Sequence, residues 1–404
     1  MSSPPRLLSL LHDRQFARVW LFGLASGIAR WLEMLVLGIY AYETTGSPFL
    51  VALLVILRMA PLPLFGSFVG VAADRFDPVR MLTVSATMIT AISAVVAALF
   101  YNDMIEYWHV AVATAFSGLM WTTDLPLRRR ILGEIAGPGR LSQAMGLDAA
   151  TNNATRMLGP LIGGTLYQFV GGTGAYALST VLYGLCIFLA LTLSWRTMQA
   201  AEQAVKPTVL SDMKEAFRYA FTNRDVRSIL SVTIVFNIWG FPFVSMVPVI
   251  GREELALSSF WVGILSAMEG GGAFFGAILI AIFAQALWFR RIYYYGALCH
   301  LILIFIAGWA QNVFAVFSLF FLIGIASACF GAMQATLIYA VAPENMRGRL
   351  YGLLVICIGT GLIGFTNIGL MAELFGAPNA MKIIAAEGLV PLLLIGWFWR
   401  ELKN

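Results

Sequence analysis

The sequence predicts an all-α membrane protein with twelve transmembrane helices in two pseudo-symmetric six-helix bundles. Of its 404 residues, 60% are hydrophobic and only 12% are charged, and the mean hydropathy is +0.82. A soluble domain carries about 25% charged residues, so a soluble chain of this composition could not cover its surface. Only helices or closed barrels satisfy the backbone in lipid, and these apolar runs lack the alternation of barrel strands.

Apolar runs long enough to cross a bilayer recur along the whole chain, since a spanning helix needs about 20 residues. The predicted spans are 15–42, 48–72, 79–100, 107–127, 142–168, 174–195, 227–250, 258–287, 291–310, 313–341, 350–374 and 380–400. The start of the chain has no signal-peptide pattern, so the first helix is expected to target the protein to the membrane.

The longest polar stretch separates six spans from six. We therefore predict an N-terminal six-helix bundle over 1–195, a central cytoplasmic loop over 196–226 and a C-terminal bundle over 227–404. Within the loop, 210–221 has the pattern of an amphipathic helix lying on the membrane surface. A weak internal repeat supports duplication, because Gly66 and Gly70 recur as Gly272 and Gly276 (272 − 66 = 276 − 70 = 206).

Charge placement predicts the orientation. With both termini in the cytoplasm, only Arg252 and Lys382 among the 26 Lys and Arg fall in outer segments, which agrees with the positive-inside rule. The net charge of +5 then reflects orientation in a bacterial-type cytoplasmic (inner) membrane, and no nucleic-acid partner is expected. The four cysteines lie in four different spans without a CxxC pair, so we expect no disulfide and no metal site.

The loop after the second span carries a distinctive pattern. Two glycines four apart, Gly66 and Gly70, allow close helix packing, and an acid with bases follows. The stretch resembles the loop between the second and third helices of the major facilitator superfamily, although Asp77 replaces a glycine of the family pattern and a single base follows it. The resemblance implies a conformational latch, the alternative being an ordinary membrane loop. The latch residues would be Gly66, Gly70, Asp74, Arg75 and Arg80, with Arg347 at the start of the eleventh helix.

Two further stretches, 140–164 and 343–349, are similar to the enterobactin-exporter and drug:proton antiporter branch of that superfamily. This resemblance implies a proton-coupled efflux carrier, an antiporter that moves a siderophore or drug-like amphiphile by alternating access. The proton gradient would be the energy source, with no cofactor. Alternatives are a lipid or lysolipid transporter of the same fold, a membrane sensor that does not transport, or a membrane enzyme. No nucleotide loop and no HExxH or GxSxG motif is present, so an enzyme is not expected.

Charged residues inside apolar spans are the candidate functional residues, because each costs about 3 kcal/mol or more unless it is paired or wet. Arg30 and Glu33 lie one turn apart in the first span, and Arg58 is in the second. Glu33 is the predicted proton carrier, and a permanent Arg30–Glu33 ion pair is the alternative. Asp124 is either a second proton site or, with Arg128 at i+4, half of a cytoplasmic-gate ion pair.

The remaining candidates are polar residues of the fifth and later spans. Asp148, Asn152 and Arg156 recur every four residues and so share one helix face. Glu269 is a third proton-coupling candidate, with a substrate counter-ion or a snorkelling acid as alternatives. The predicted substrate-binding set is Arg30, Glu33, Arg58, Asn152, Arg156, Asn237 and Gln334. The mildly positive net charge of this set favours anionic or zwitterionic amphiphiles over lipophilic cations as substrates. The expected partners are one small-molecule substrate, protons and the lipid bilayer, and we expect a monomer.

Overall fold

The computed structural model describes residues 8–193, 209–343 and 346–403, and all regular structure in them is helical, as predicted. Residues 196–208 of the predicted central loop therefore lie outside the described residues, as do Gly70 and the side chains of Asp74 and Arg75. After a helical turn at Leu8–Leu11, the helices of the first half are α1 (Arg14–Thr45), α2 (Pro48–Met59), α3 (Pro61–Arg75), α4 (Pro78–Tyr101), α5 (Tyr107–Ala136) and α6 (Leu141–Leu191).

The second half begins with α7 (Val209–Thr222) and α8 (Arg224–Val235). The seventh span then continues through a π-helical turn at Phe236–Gly240, a 3₁₀ segment at Phe241–Met246 and a second π-helical turn at Ile250–Glu254. The remaining helices are α9 (Ser259–Phe283), α10 (Phe289–Ala307), α11 (Val313–Val341), α12 (Arg347–Gly359), α13 (Gly361–Phe375) and α14 (Ala377–Phe398).

Ten helical segments of the described chain are long and apolar enough to cross a bilayer, and together with two further features they account for the twelve predicted spans. Helix α6 covers two spans, since its 51 residues break at Gly171, where a φ of +73° requires glycine. Helix α5 is the predicted fourth span, and it carries several charged residues, among them Asp124 and Arg128.

The described residues fall into two compact units. Unit 1 lies within Met1–Thr45, Leu57–Met198 and Leu257–Ala267. Its centre is the packing of α1 along α6, which glycines make close. A Cβ on Gly27 would lie 2.8 Å from Oγ1 of Thr155, and one on Gly163 would lie 3.0 Å from the carbonyl oxygen of Leu32. Such glycine contacts fix the face that α1 presents to the rest of the unit.

Unit 2 lies within Gly46–Ile56, Gln199–Ala256 and Met268–Asn404. Helix α7 packs on α8 and α12, and Glu215 on α7 forms an ion pair with Arg349 at 2.5 Å. Residues 46–56, which the sequence analysis assigned to the N-terminal bundle, group with this unit because they pack on α13. There Ser47 Oγ donates to Glu373 Oε2 at 2.7 Å, and a Cβ on Gly369 would lie 2.9 Å from Cβ of Ala52.

Candidate functional site

The buried charges of unit 1 begin on α1, where Arg30 and Glu33 face the protein interior one turn apart. In the described chain they form no ion pair with each other. Arg30 Nη2 donates to Oδ1 of Asn152 at 3.0 Å. The alternative of a permanent Arg30–Glu33 pair therefore does not match the observed contacts.

Two tryptophans surround Arg30. Its Cζ lies 5.4 Å from the ring centre of Trp121 and 5.9 Å from that of Trp31, while Cζ of Arg156 lies 5.5 Å from the same Trp31 ring. Cations over indole faces are attracted by the ring quadrupole. Asn152 and Arg156 on α6 thus reach the same cluster as Arg30 on α1, and the three predicted substrate-binding residues lie together.

Glu33 is buried one turn further along α1, with 3% of its surface exposed. Its Oε1 accepts a hydrogen bond from Ser93 Oγ on α4 at 2.8 Å, and its Oε2 accepts one from Tyr183 on α6 at 3.3 Å. Arg58 is the cation that acts on it electrostatically. Glu33 is therefore a carboxyl held by hydroxyl groups, with its compensating charge beyond ion-pair distance.

Arg58 lies between two cavities inside unit 1. The larger, of about 40 Å³, extends from Asp124 and Ser26 to Arg58 and Trp121. The smaller, of about 10 Å³, is lined by Glu33, and both share Arg58 and Ser117. Since one water molecule needs about 10–15 Å³ of such space, the larger cavity has room for a few water molecules or a compact polar group, and the smaller for one water molecule at most.

A second buried charge cluster joins α5 to α6. Arg128 forms an ion pair with Asp124 at 3.6 Å and a very short hydrogen bond with Asp148, which also accepts from Arg129 Nε at 2.8 Å. Ser26 Oγ donates to Asp124 at 3.3 Å. The predicted Asp124–Arg128 contact is present as an ion pair without a hydrogen bond, because Arg128 Nε and Asp124 Oδ1 have no hydrogen-bond partner among the described residues. Arg128 donates its hydrogen bond to Asp148 instead.

The predicted latch is described in part. A Cβ on Gly66 would meet only ordinary contacts, at 3.9 Å from Leu62 and 4.0 Å from Thr122. Arg80 is exposed, and Cζ of Arg347 lies 4.3 Å from the ring centre of Tyr339. Gly70 and the side chains of Asp74 and Arg75 lie outside the described part, so the latch stays a prediction.

Asp77, which departs from the family pattern, caps the start of α4. Its Oδ1 accepts from the backbone N–H of Val79 at 2.8 Å and of Arg80 at 3.2 Å. Asp77 is followed by Pro78 at the first helical position, a common combination at helix starts. A structural role thus accounts for the acid at this position.

In unit 2 the predicted residues meet around Thr233. Asn237 Nδ2 donates to the Thr233 carbonyl at 2.9 Å, and Gln334 Nε2 donates to its Oγ1 at 3.3 Å. Glu269 is 3% exposed. A Cβ on Gly324 would lie 3.0 Å from the carbonyl carbon of Glu269, so α9 and α11 are in close contact there.

Several site residues were absent from the predicted set. Ser93, Tyr183 and Trp121 surround the charges of unit 1. In unit 2, Glu387 accepts from Trp239 Nε1 at 3.0 Å and from Asn367 Nδ2 at 2.8 Å. Hydroxyl and indole groups are too common in membrane helices for their spacing to single them out. Glu387, in contrast, could have been included from the sequence, because an acid inside an apolar span is conspicuous.

A family model and several known proteins match this chain. Residues 7–401 match the family model described as transmembrane secretion effector. The staphyloferrin A transporter of Staphylococcus aureus is 18% identical over 383 residues, which cover 93% of this chain and 94% of that protein. Macrolide efflux protein A of Streptococcus pyogenes is 18% identical over 271 residues, 67% of each chain.

The fold is similar to that of solved transporters. The crystal structure of a bacterial homolog of the human lysosomal transporter Spinster, in an inward-facing and unoccupied conformation, superposes with a TM-score of 0.72. The alignment covers 97% of both chains at 14% sequence identity. At this identity the likeness concerns the fold alone.

Proposed function

This chain belongs to the transmembrane secretion effector family of the major facilitator superfamily, and on that premise we propose that it is a proton-coupled exporter. It is a multi-pass membrane transporter rather than an enzyme. In our proposal it lies in the cytoplasmic membrane with both termini inside, acts as a monomer, and exports a small amphiphilic molecule by alternating access. The proton gradient drives it as an antiporter.

The observation that carries the proposal is Glu33, a carboxyl buried in unit 1 without an ion-pair partner among the described residues. Burial in a low-dielectric interior favours the neutral form of an acid, while a nearby cation favours the charged form. Ser93 and Tyr183 hold the carboxyl in place, and Arg58 supplies the cation. A change in the position or occupancy of Arg58 would therefore change the proton occupancy of Glu33.

The relatives favour an organic substrate of moderate size. One is named for a siderophore, staphyloferrin A, and another for macrolide efflux. The arginines and tryptophans of unit 1 can bind polar and apolar parts of such molecules. We propose a siderophore-like or drug-like amphiphile, and the positive balance of the site favours an anion or zwitterion.

The test is uphill transport by the purified protein in proteoliposomes, with an imposed pH gradient and a panel of siderophores and drugs. Glu33→Gln is expected to abolish gradient-driven accumulation while it spares substrate binding and removes the pH dependence of binding. The matched control is Glu43→Gln, the same change at an exposed position of the same helix, which should transport like the wild type.

The outcomes separate the candidates. Binding without flux in the wild type would indicate a sensor and refute the exporter. If the Glu33→Gln protein still pumps uphill with an unchanged pH profile, the proton moves elsewhere, and Asp124 and Glu269 are the next residues to test.

A further inference from the structure

Arg58 is a buried arginine with an enclosed guanidinium nitrogen that has no acceptor among the described residues. Only 5% of the residue is exposed, and its Nη2 atom is enclosed with no hydrogen-bond partner in the described chain. Buried charged groups in proteins are almost always paired or hydrogen-bonded. An enclosed guanidinium nitrogen without an acceptor among the described residues has its acceptor supplied by water or by a ligand.

The position of Arg58 is fixed by its backbone. Helix α5 packs directly against it, and a Cβ on Gly118 would lie 2.9 Å from Cα of Arg58. The guanidinium lines the larger cavity together with Trp121, whose buried Nε1 is also without an acceptor in the part of the chain described. Two enclosed donors thus belong to residues that line one cavity.

The acids near this cavity have other partners. Asp124 lines it, and this acid forms an ion pair with Arg128 at 3.6 Å and accepts a hydrogen bond from Ser26 at Oδ2, while its Oδ1 has no hydrogen-bond partner among the described residues. Glu33 lines only the smaller cavity, where Ser93 and Tyr183 donate to it. Neither carboxylate supplies the acceptor that Arg58 lacks.

Charge balance gives the sign of the ligand. The buried charges of unit 1 among the described residues are three arginines (Arg30, Arg58 and Arg128) and three acids (Glu33, Asp124 and Asp148). When Glu33 is protonated, three positive charges face two negative ones (3 − 2 = 1). One further negative charge then restores neutrality in an interior where unbalanced charge is costly.

We propose that Arg58, with the indole N–H of Trp121, binds the carboxylate group of the exported molecule. This inference rests on the proposed function and deepens it. The guanidinium fork matches a carboxylate in two parallel hydrogen bonds. The cavity of about 40 Å³ holds roughly three water-sized groups, which suits the three heavy atoms of a carboxylate.

The test is a binding measurement on the purified full-length protein by thermal shift and isothermal titration. The probes are phenylacetate and phenylacetamide, which have similar shapes and differ in charge. Phenylacetate is expected to bind saturably and the amide at least tenfold more weakly. Arg58→Gln should remove this preference and Arg58→Lys should keep part of it, whereas Arg400→Gln at an exposed position should bind like the wild type.

Three outcomes would overturn the inference. Saturable binding of chloride that depends on Arg58, without phenylacetate binding, would show an inorganic-ion site. Equal binding of phenylacetate and phenylacetamide would show that the site does not distinguish the charge of its ligand. An unchanged preference in both Arg58 variants would place the anion site elsewhere. These outcomes do not decide the proposed function. That function is tested by gradient-driven flux, which this binding assay does not measure.

Discussion

Gly23 makes room for the arginine that holds two buried acids, and we predict that Gly23→Ala disrupts this arrangement. A Cβ at position 23 would lie 2.7 Å from Cζ of Arg128 and 2.9 Å from its Nε. Real Cβ contacts are not that short, so the guanidinium must shift. Its contacts with Asp124 and Asp148 would weaken. Overpacking alone costs about 1–3 kcal/mol, and full loss of a buried pair costs about 3–5 kcal/mol.

The assay is equilibrium unfolding of the purified protein in mixed micelles, with Gly184→Ala as the control. Gly184 also lies in a helix, but a Cβ there meets nothing within 4 Å. Alanine is favoured over glycine in a helix interior by about 1 kcal/mol, so Gly184→Ala should be neutral or stabilising while Gly23→Ala destabilises by about 1–3 kcal/mol. Arg128→Lys should reduce the effect of Gly23→Ala, because it removes the clashing group. Equal stability of the two alanine variants would refute the reasoning.

Two further predictions concern the latch and the topology. Asp74→Asn is expected to lower transport at least several-fold while expression stays intact, as measured by flux per folded protein in proteoliposomes; turnover at the wild-type rate would count against a latch. For the topology, a reporter that works only in the cytoplasm is fused after residue 404 and is expected to be active. If a reporter that works only outside the membrane is active at the same position, the proposed orientation is wrong.

The fold and the list of buried charges could be predicted from the sequence because both are visible as local patterns. A charge inside an apolar run is conspicuous, and the cost of burying it makes it a candidate without any structure. The partners could not be predicted in the same way. Arg30 and Glu33 are three positions apart, yet one contacts Asn152 and the other contacts Ser93 and Tyr183.

Contacts in which two acids share one arginine could also not be predicted from the sequence. The i, i+4 spacing predicts an Asp124–Arg128 contact, but nothing local shows that Asp148, 20 positions later, approaches the same guanidinium. The role of Gly23 is equally hidden, since the space it leaves is filled by a residue of another helix. The acid at Asp77 was the opposite case: an Asp-Pro pair at a helix start is a local signal for a cap, so this cap could have been predicted from the sequence.

The division of partners in unit 1 suggests how export and proton uptake are linked. Asp124 and Asp148 share Arg128, so they have little freedom to exchange protons without breaking a buried ion pair. Glu33 and Arg58 lack such a pair, and each has room for a different partner: a proton for Glu33 and a carboxylate for Arg58. If both changes occur together, the charge of the interior stays balanced.

Linkage then requires that protonation of Glu33 tighten anion binding by the same factor by which the anion favours protonation. Such couplings between sites are commonly 5- to 150-fold. The neutral Glu33→Gln variant should bind the anion at every pH with the affinity that the wild type reaches only when Glu33 is protonated. Charge balance alone would carry the proton and the anion in the same direction. The proposed antiport therefore requires that the outward-open conformation weaken anion binding while Glu33 is protonated, so that the anion leaves as the proton enters.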